Sequence, residues 1–126
     1  MTAPSETIRA HLQTAGLVDG ISGWTGFSGY FPNTPDRCVA ITDTSGPAPE
    51  ASFAYEEPGI QLRVRGLRED YTLTNTKVTE LFDALHGQSI NSEYAACWAQ
   101  GSPIFMSYDT NERPVWSVNF KLMRTR

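Results

Sequence analysis

The chain has 126 residues, of which 40% are hydrophobic and 19% charged, the balance of a folded protein and not of a disordered segment. Ten Lys and Arg against fourteen Asp and Glu leave a formal charge of −4, which argues against free nucleic-acid binding, where a basic stripe supplies most of the affinity. No run of ~18 apolar residues is present, so no membrane-spanning helix is expected, and Met1–Glu6 lack the basic and apolar regions of a signal peptide. A chain of this length reads as one domain, residues 1–126, burying about two thirds of its unfolded surface without a metal or a disulfide. Eight prolines and ten glycines imply many turns, hence more sheet than helix.

Taken in order, the first element is a helix with Ser5 as N-cap, Glu6 in the first turn and an apolar stripe of Ile8, Leu12 and Ala15. Gly16 is placed to end it. Leu17–Asn33 reads as a loop containing a strand, with Gly20, Gly23, Gly26 and Gly29 at every third position and Trp24, Phe27, Tyr30 and Phe31 between them. No Lys-Ser/Thr pair follows, so the glycines are not a phosphate cradle, and the aromatics are core anchors or contacts to a neighbour. After the Pro32–Asp36 turn, Arg37–Thr42 reads as a buried strand, and Asp43–Glu50 as a long loop stiffened by Pro47 and Pro49. A short strand is expected around Phe53 and Tyr55.

The stretch Pro58–Gly66 alternates Ile60, Leu62 and Val64 with Gln61, Arg63 and Arg65. Successive strand residues point to opposite faces, so one face is apolar and the other long and cationic; the latter is either solvated or meets another chain. This strand is expected antiparallel to Arg37–Thr42. A second helix spans Asp70–His86 on Val78, Leu81, Phe82 and Leu85, ending at Gly87. Strands at Tyr94–Ala99, Ile104–Tyr108 and Val115–Met123 close the chain, the last with Trp116, Val118, Phe120 and Leu122 on one face. The order defines an α+β class: a mainly antiparallel (mixed) sheet with two helices packed on one face.

Chemistry-bearing patterns are absent from the sequence. His11 and His86 are isolated, Cys38 and Cys97 sit in strand-like apolar contexts as expected for buried free thiols, and no C-x-x-C, H-x-x-x-H or H-E-x-x-H spacing occurs. Asp109-Thr110-Asn111 opens like a calcium loop, but Arg113 follows and no closing Glu falls in register. No catalytic, cofactor-binding or metal-binding residues are expected. Charge is segregated: Asp43, Glu50, Glu56 and Glu57 precede Arg63, Arg65 and Arg68, and Lys121, Arg124 and Arg126 make a basic terminus. These are either solvated loops or the two halves of a self-complementary surface.

Pro35-Asp36-Arg37-Cys38-Val39, Asp43-Thr44-Ser45-Gly46-Pro47-Ala48-Pro49, Glu57–Gly66, the Asp109–Arg113 turn and Ser117-Val118-Asn119-Phe120 together resemble the minor capsid or tail-terminator family of long-tailed bacteriophages. The resemblance runs from Ile8 to Met123, and the Gly20–Phe31 stretch departs from it. It implies a small α+β virion protein that forms a ring, typically a hexamer, at the head-proximal end of the tail. Such a ring caps the tail tube, ends its polymerisation and faces the head-side connector. Assembly would occur in the host cytoplasm, with copies of the chain, tail tube protein and connector as partners, no membrane, and genome DNA only passing through the lumen. By the same resemblance, Asp43, Pro47, Glu56, Glu57, Gln61, Arg63, Arg65 and Arg68 are candidate contact residues, Arg63 and Arg65 pairing with Glu56 or Glu57 of a neighbour. Three alternatives stand beside it: another neck or head-completion ring, a monomeric binding module built on the Trp24/Phe27/Tyr30 loop, and a small enzyme of unfamiliar type.

Overall fold

The computed structural model describes residues 3–44 and 55–125, with the backbone alone described at Tyr55 and Thr125. Most of the stiff loop, including Pro47 and Phe53, lies outside the described residues. The elements are α1 (Pro4–Thr14), β1 (Thr25–Ser28), β2 (Cys38–Thr44), β3 (Tyr55–Glu56), β4 (Gly59–Arg65), α2 (Tyr71–Leu85), β5 (Tyr94–Ala99), β6 (Ile104–Tyr108) and β7 (Pro114–Thr125), with a single 3₁₀ turn at Gly20–Ser22.

The twelve-residue β7 is the spine of a seven-stranded mixed sheet. Along one edge it pairs antiparallel with β4 and then β3; along the other it pairs antiparallel with β6 and then β5. β4 continues antiparallel to β2, as the sequence pattern predicts, and β2 pairs parallel with β1. The registers Val39–Val64–Trp116 and Ile41–Leu62–Val118 set these apolar residues in rows on one face. Ile8 and Leu12 of α1 and Val78, Leu81 and Leu85 of α2 join them in one core, so both helices cover the same face. Alternation along β4 and β7 therefore sets the layer order.

Helix α1 begins two residues earlier than expected. Ala3 is the N-cap without a side-chain bond, Pro4 occupies the first turn, and Ser5 is buried within the helix and not its cap. Proline has no N–H to satisfy, so Ser5 carries the first orphan donor. That donor is met from a distance: Asp43 at the end of β2 accepts from Ser5 N (2.8 Å) and Ser5 Oγ (2.7 Å). Ala15 is the C-cap and exposed, so the buried stripe is Ile8 and Leu12. Gly16 adopts φ +77°, and Leu17 N donates to Leu12 O (3.0 Å), the closing bond of a Schellman cap.

Helix α2 is capped by Asp70, which accepts from Leu73 N at 3.2 Å. Its buried face includes Thr74, whose Oγ1 donates to Asp70 O (2.7 Å) and which packs against Gly66. A Cβ at Gly66 would lie 1.7 Å from Thr74 Oγ1 and 3.0 Å from Thr74 Cβ. Gly66→Ala is expected to destabilise the fold by about 1–3 kcal/mol, and Thr74→Ala to recover part of that loss. Urea unfolding midpoints of the single and double variants check this; an unchanged midpoint for Gly66→Ala would contradict the close packing of β4 on α2.

Candidate assembly interface

The face of the sheet away from the helices carries Cys38, Ala40, Gln61, Arg63, Arg65 and Ser117, paired in the rows Cys38–Arg65 and Ala40–Arg63–Ser117. The first thing it meets is its own chain. The connection from β1 to β2, residues 29–37, returns across it and places the Phe31 ring 4.7 Å from the guanidinium carbons of both Arg63 and Arg65. Arg65 donates to Asp36 O (3.1 Å, Nε) and Pro35 O (2.7 Å, Nη2) and is 3% exposed. Burial, then the nearby Arg113 charge, pull its pKa below the ordinary guanidinium value. Arg113 is buried too, donating to Asn33 O and Asn33 Oδ1 (2.7 Å each) and pairing with Asp36 (3.0 Å) and Asp109 (2.9 Å).

The remaining candidates are mostly engaged within the chain. Glu56 pairs with Arg124, which also donates to Tyr94 Oη at 3.0 Å, and Glu57 pairs with Lys121 at 3.2 Å. Arg68 donates from Nε to Glu112 at 2.8 Å, and Asp43 serves the start of α1. Arg63 differs. Among the described residues it makes no ion pair, its Nε is buried without a hydrogen-bond partner, and Thr42 Oγ1, two residues along on the same face, also lacks one. Gln61 lies between them in register, opposite Thr42. Pro47 lies outside the described residues.

Sequence reasoning read the Asp109–Arg113 turn as a turn but missed that it grips the 33–36 segment, 77 to 80 positions away in sequence. The only available signal was an Arg four residues after an Asp that bonds its own turn: Asp109 accepts from Asn111 N and Arg113 N at 2.9 Å each. The aromatic loop is divided by the sheet. Trp24 is buried with the helix-face core, between Arg37 (5.6 Å) and Lys77 (5.7 Å). Phe27, in register with Ala40, lies on the opposite face and packs edge-on against Tyr30 at 5.1 Å. The three aromatics thus do not converge on one ligand site.

His86 is held structurally, with Nδ1 accepting from Ala99 N (2.9 Å) and its ring stacked on Phe82. Burial pushes the Cys38 thiol up to about 11 and the Cys97 thiol up to about 12, and both are free, buried and on opposite faces of the sheet. Among the described residues no cluster of three His, Cys, Asp or Glu could hold a metal, and no helix is long and apolar enough to cross a membrane.

A spine strand paired along both edges, helices on one face and a self-bracing loop on the other define an α+β scaffold. A family model described as bacteriophage tail terminator protein matches residues 11–126, and the chain belongs to that family, a family of structural virion proteins. The fold is shared with a chain of a solved structure titled "Virion of native gene transfer agent (GTA) particle", with a TM-score of 0.69 at 11% identity, covering 98% of this chain and 96% of that one. No curated protein matches the sequence.

Asp109 is partly buried, which opposes ionisation, but bonds from Arg113 N, Asn111 N and the Arg113 guanidinium outweigh this and hold its carboxyl below the ordinary carboxylate value. A depressed folded value contributes stability that is present above the unfolded value of 3.8 and is lost as pH falls through the folded one. Asp109→Asn is therefore expected to lower stability at neutral pH and to flatten its decline below pH ~4, read from unfolding midpoints between pH 2 and 7.

Proposed function

We propose that this tail terminator works as a closed ring, a homohexamer by the pattern the sequence resembles, seated on the head-proximal end of the tail tube. There it ends tube polymerisation and presents a surface to the head-side connector, with the genome passing through its lumen. It acts by contact alone, without catalysis or a cofactor, and is assembled in the host cytoplasm from copies of the chain and tail tube protein. The match to the tail terminator family over residues 11–126 carries this reading.

For the contact itself, Arg63 is the strongest of the candidate residues. Among the described residues it is a half-buried cation without a carboxylate, on the face that also carries Gln61 and Thr42. A carboxylate from a neighbouring subunit would pair with the accessible Nη groups of its guanidinium, and a charge-assisted bond there is stronger than a neutral one. Gln61 and the Asp43–Glu57 segment, Pro47 included, extend the same contact region. Arg65, Glu56, Glu57 and Arg68 support it from within the chain through their internal bonds.

The test combines light scattering over a concentration series with tube growth observed by electron microscopy in the presence of purified tail tube protein. The expected result is a closed oligomer, formed alone or on tubes, and tubes that stop lengthening once the protein is added. Arg63→Glu is expected to weaken assembly roughly tenfold and, with its stacking on Phe31 lost, to lower the melting temperature only slightly. Arg65→Glu, by contrast, is expected to lower the melting temperature. Tubes that grow on unchanged with the wild-type chain present would sink the reading.

A further inference from the structure

The 19–24 turn holds one apolar side chain out in water. Asp19 sits at φ 59°, ψ −171°, a conformation that belongs almost wholly to glycine and persists elsewhere only where the surroundings fix it. Here they do. Asp19 accepts from Gly26 N and from Arg9 (3.0 Å each), its own N–H donates to Trp24 O (2.6 Å), and Ser22 Oγ bonds both the N–H and the carbonyl of Trp24. The tip of this braced turn is Ile21, which is fully exposed. Beside it, between the turn and the first half of α2, lies a cleft of about 340 Å³ lined by Trp24, Arg37, Lys77 and the half-exposed Leu73. Lys77 is paired with Glu80 at 3.0 Å. Arg37 stacks over the Trp24 ring at 5.6 Å, and its guanidinium makes no hydrogen bond or ion pair among the described residues.

A complementary feature lies on α1. A groove of about 460 Å³ is lined by Glu6, Thr7, Ala10 and Thr14 of that helix and by Ile90. Glu6 is exposed and makes no ion pair among the described residues. At ~100° per residue the groove is centred roughly 115° around α1 from Arg9, the residue that grips Asp19, and no residue of the 19–24 turn lines it. Knob and groove therefore sit on different flanks of the helix, where one copy does not fill its own.

We propose that Ile21 of one copy seats in the α1 groove of a second copy of this chain, with Arg37 of the first pairing with Glu6 of the second. The proposal rests on the ring reading and names a contact between neighbouring copies on the helix side of the sheet. Two chains of net charge −4 repel each other, so a contact between them has to set a cation against a carboxylate, and these two are a cation and a carboxylate that no ion pair within the described residues uses. The spacings agree. Arg37 Nη1 lies 3.7 Å from where a Cβ on Gly23 would stand, and Gly23 is two residues from Ile21, so the charge falls within ~10 Å of the knob. The groove runs ~12 Å along α1 from Glu6 to Thr14, room for the pair at one end and the isoleucine beyond it. Knob of one copy into groove of the next is a heterologous contact, which leaves each copy a free knob or groove for the following neighbour and closes into a ring when the rotation allows.

The experiment uses the full-length protein in two ways. Charge reversal comes first: Arg37→Glu and Glu6→Arg are each expected to raise the concentration needed for assembly about tenfold, and the double variant, which restores an opposite pair, to return it close to wild type. Mere damage to the fold gives no such rescue. Cross-linking then reads the contact directly. Ile21→Cys protein mixed with Ala10→Cys protein under mild oxidation is expected to give a 21–10 disulfide between copies, found by mass spectrometry, far above a mixture with Thr110→Cys in place of Ala10→Cys; the native Cys38 and Cys97 are buried. If rings form and both reversals assemble like wild type, or weaken assembly without mutual rescue, the ring stands and this inference falls. If the wild type stays monomeric even with tube protein, the ring reading falls, and cross-linking at high concentration still decides the contact: a 21–10 disulfide above the control supports it, and none above the control overturns it.

Discussion

Two buried arginines hold the connection on which the second face of the sheet depends. Arg65 and Arg113 reach the 33–36 segment from about 30 and 80 positions later in the chain and give it five hydrogen bonds, three of them to backbone carbonyls. A connection between parallel strands has to cross the sheet, and this one does so without a helix to satisfy its own backbone groups. The guanidinium groups supply the donors its carbonyls need, and the carbonyls in turn solvate two charges that burial would otherwise penalise. Asp36 and Asp109 balance Arg113, which limits its repulsion of Arg65.

This arrangement decides what the subunit can show to others. Helices take one face of the sheet and the 29–37 loop takes part of the other, so the groups left for partners are those at edges and ends and on the remainder of the second face, around Arg63 and Gln61. Edge control then becomes informative. The Arg9–Asp19 pair spends two charged side chains on one glycine of β1, and residues 86–91 run along β5, while β6 is left with exposed apolar side chains.

The interior of the fold was legible to a high degree. Alternation in β7 from Trp116 to Leu122 and in β4 from Ile60 to Val64 identified the strands and the core face, and Val78, Leu81 and Leu85 did the same for α2. Each of these signals is a local periodicity of side chains along one element, and the rows they form across β2, β4 and β7 follow once the pairing is known. The family resemblance was legible for a related reason, since its motifs were the turns and strands that the structure shows as the ends of these same elements.

The candidate contact surface was legible only in part. Charges close in sequence looked like two open patches, but Glu56 and Glu57 turn to Arg124 and Lys121 across β3, β4 and β7, and Arg65 turns to a loop some 30 residues earlier. Asp43, placed by sequence in a long, stiff loop, lies at the end of β2 and caps α1 from 38 residues away. The sequence by itself determined which residues face the core, where the helices stop and which family the chain joins, because those depend on period, propensity and glycine. Tertiary structure alone decided, among the described residues, which charges are paired within the chain and which sheet edges are covered. Both are sums over partners brought together from distant positions, and no local pattern records them.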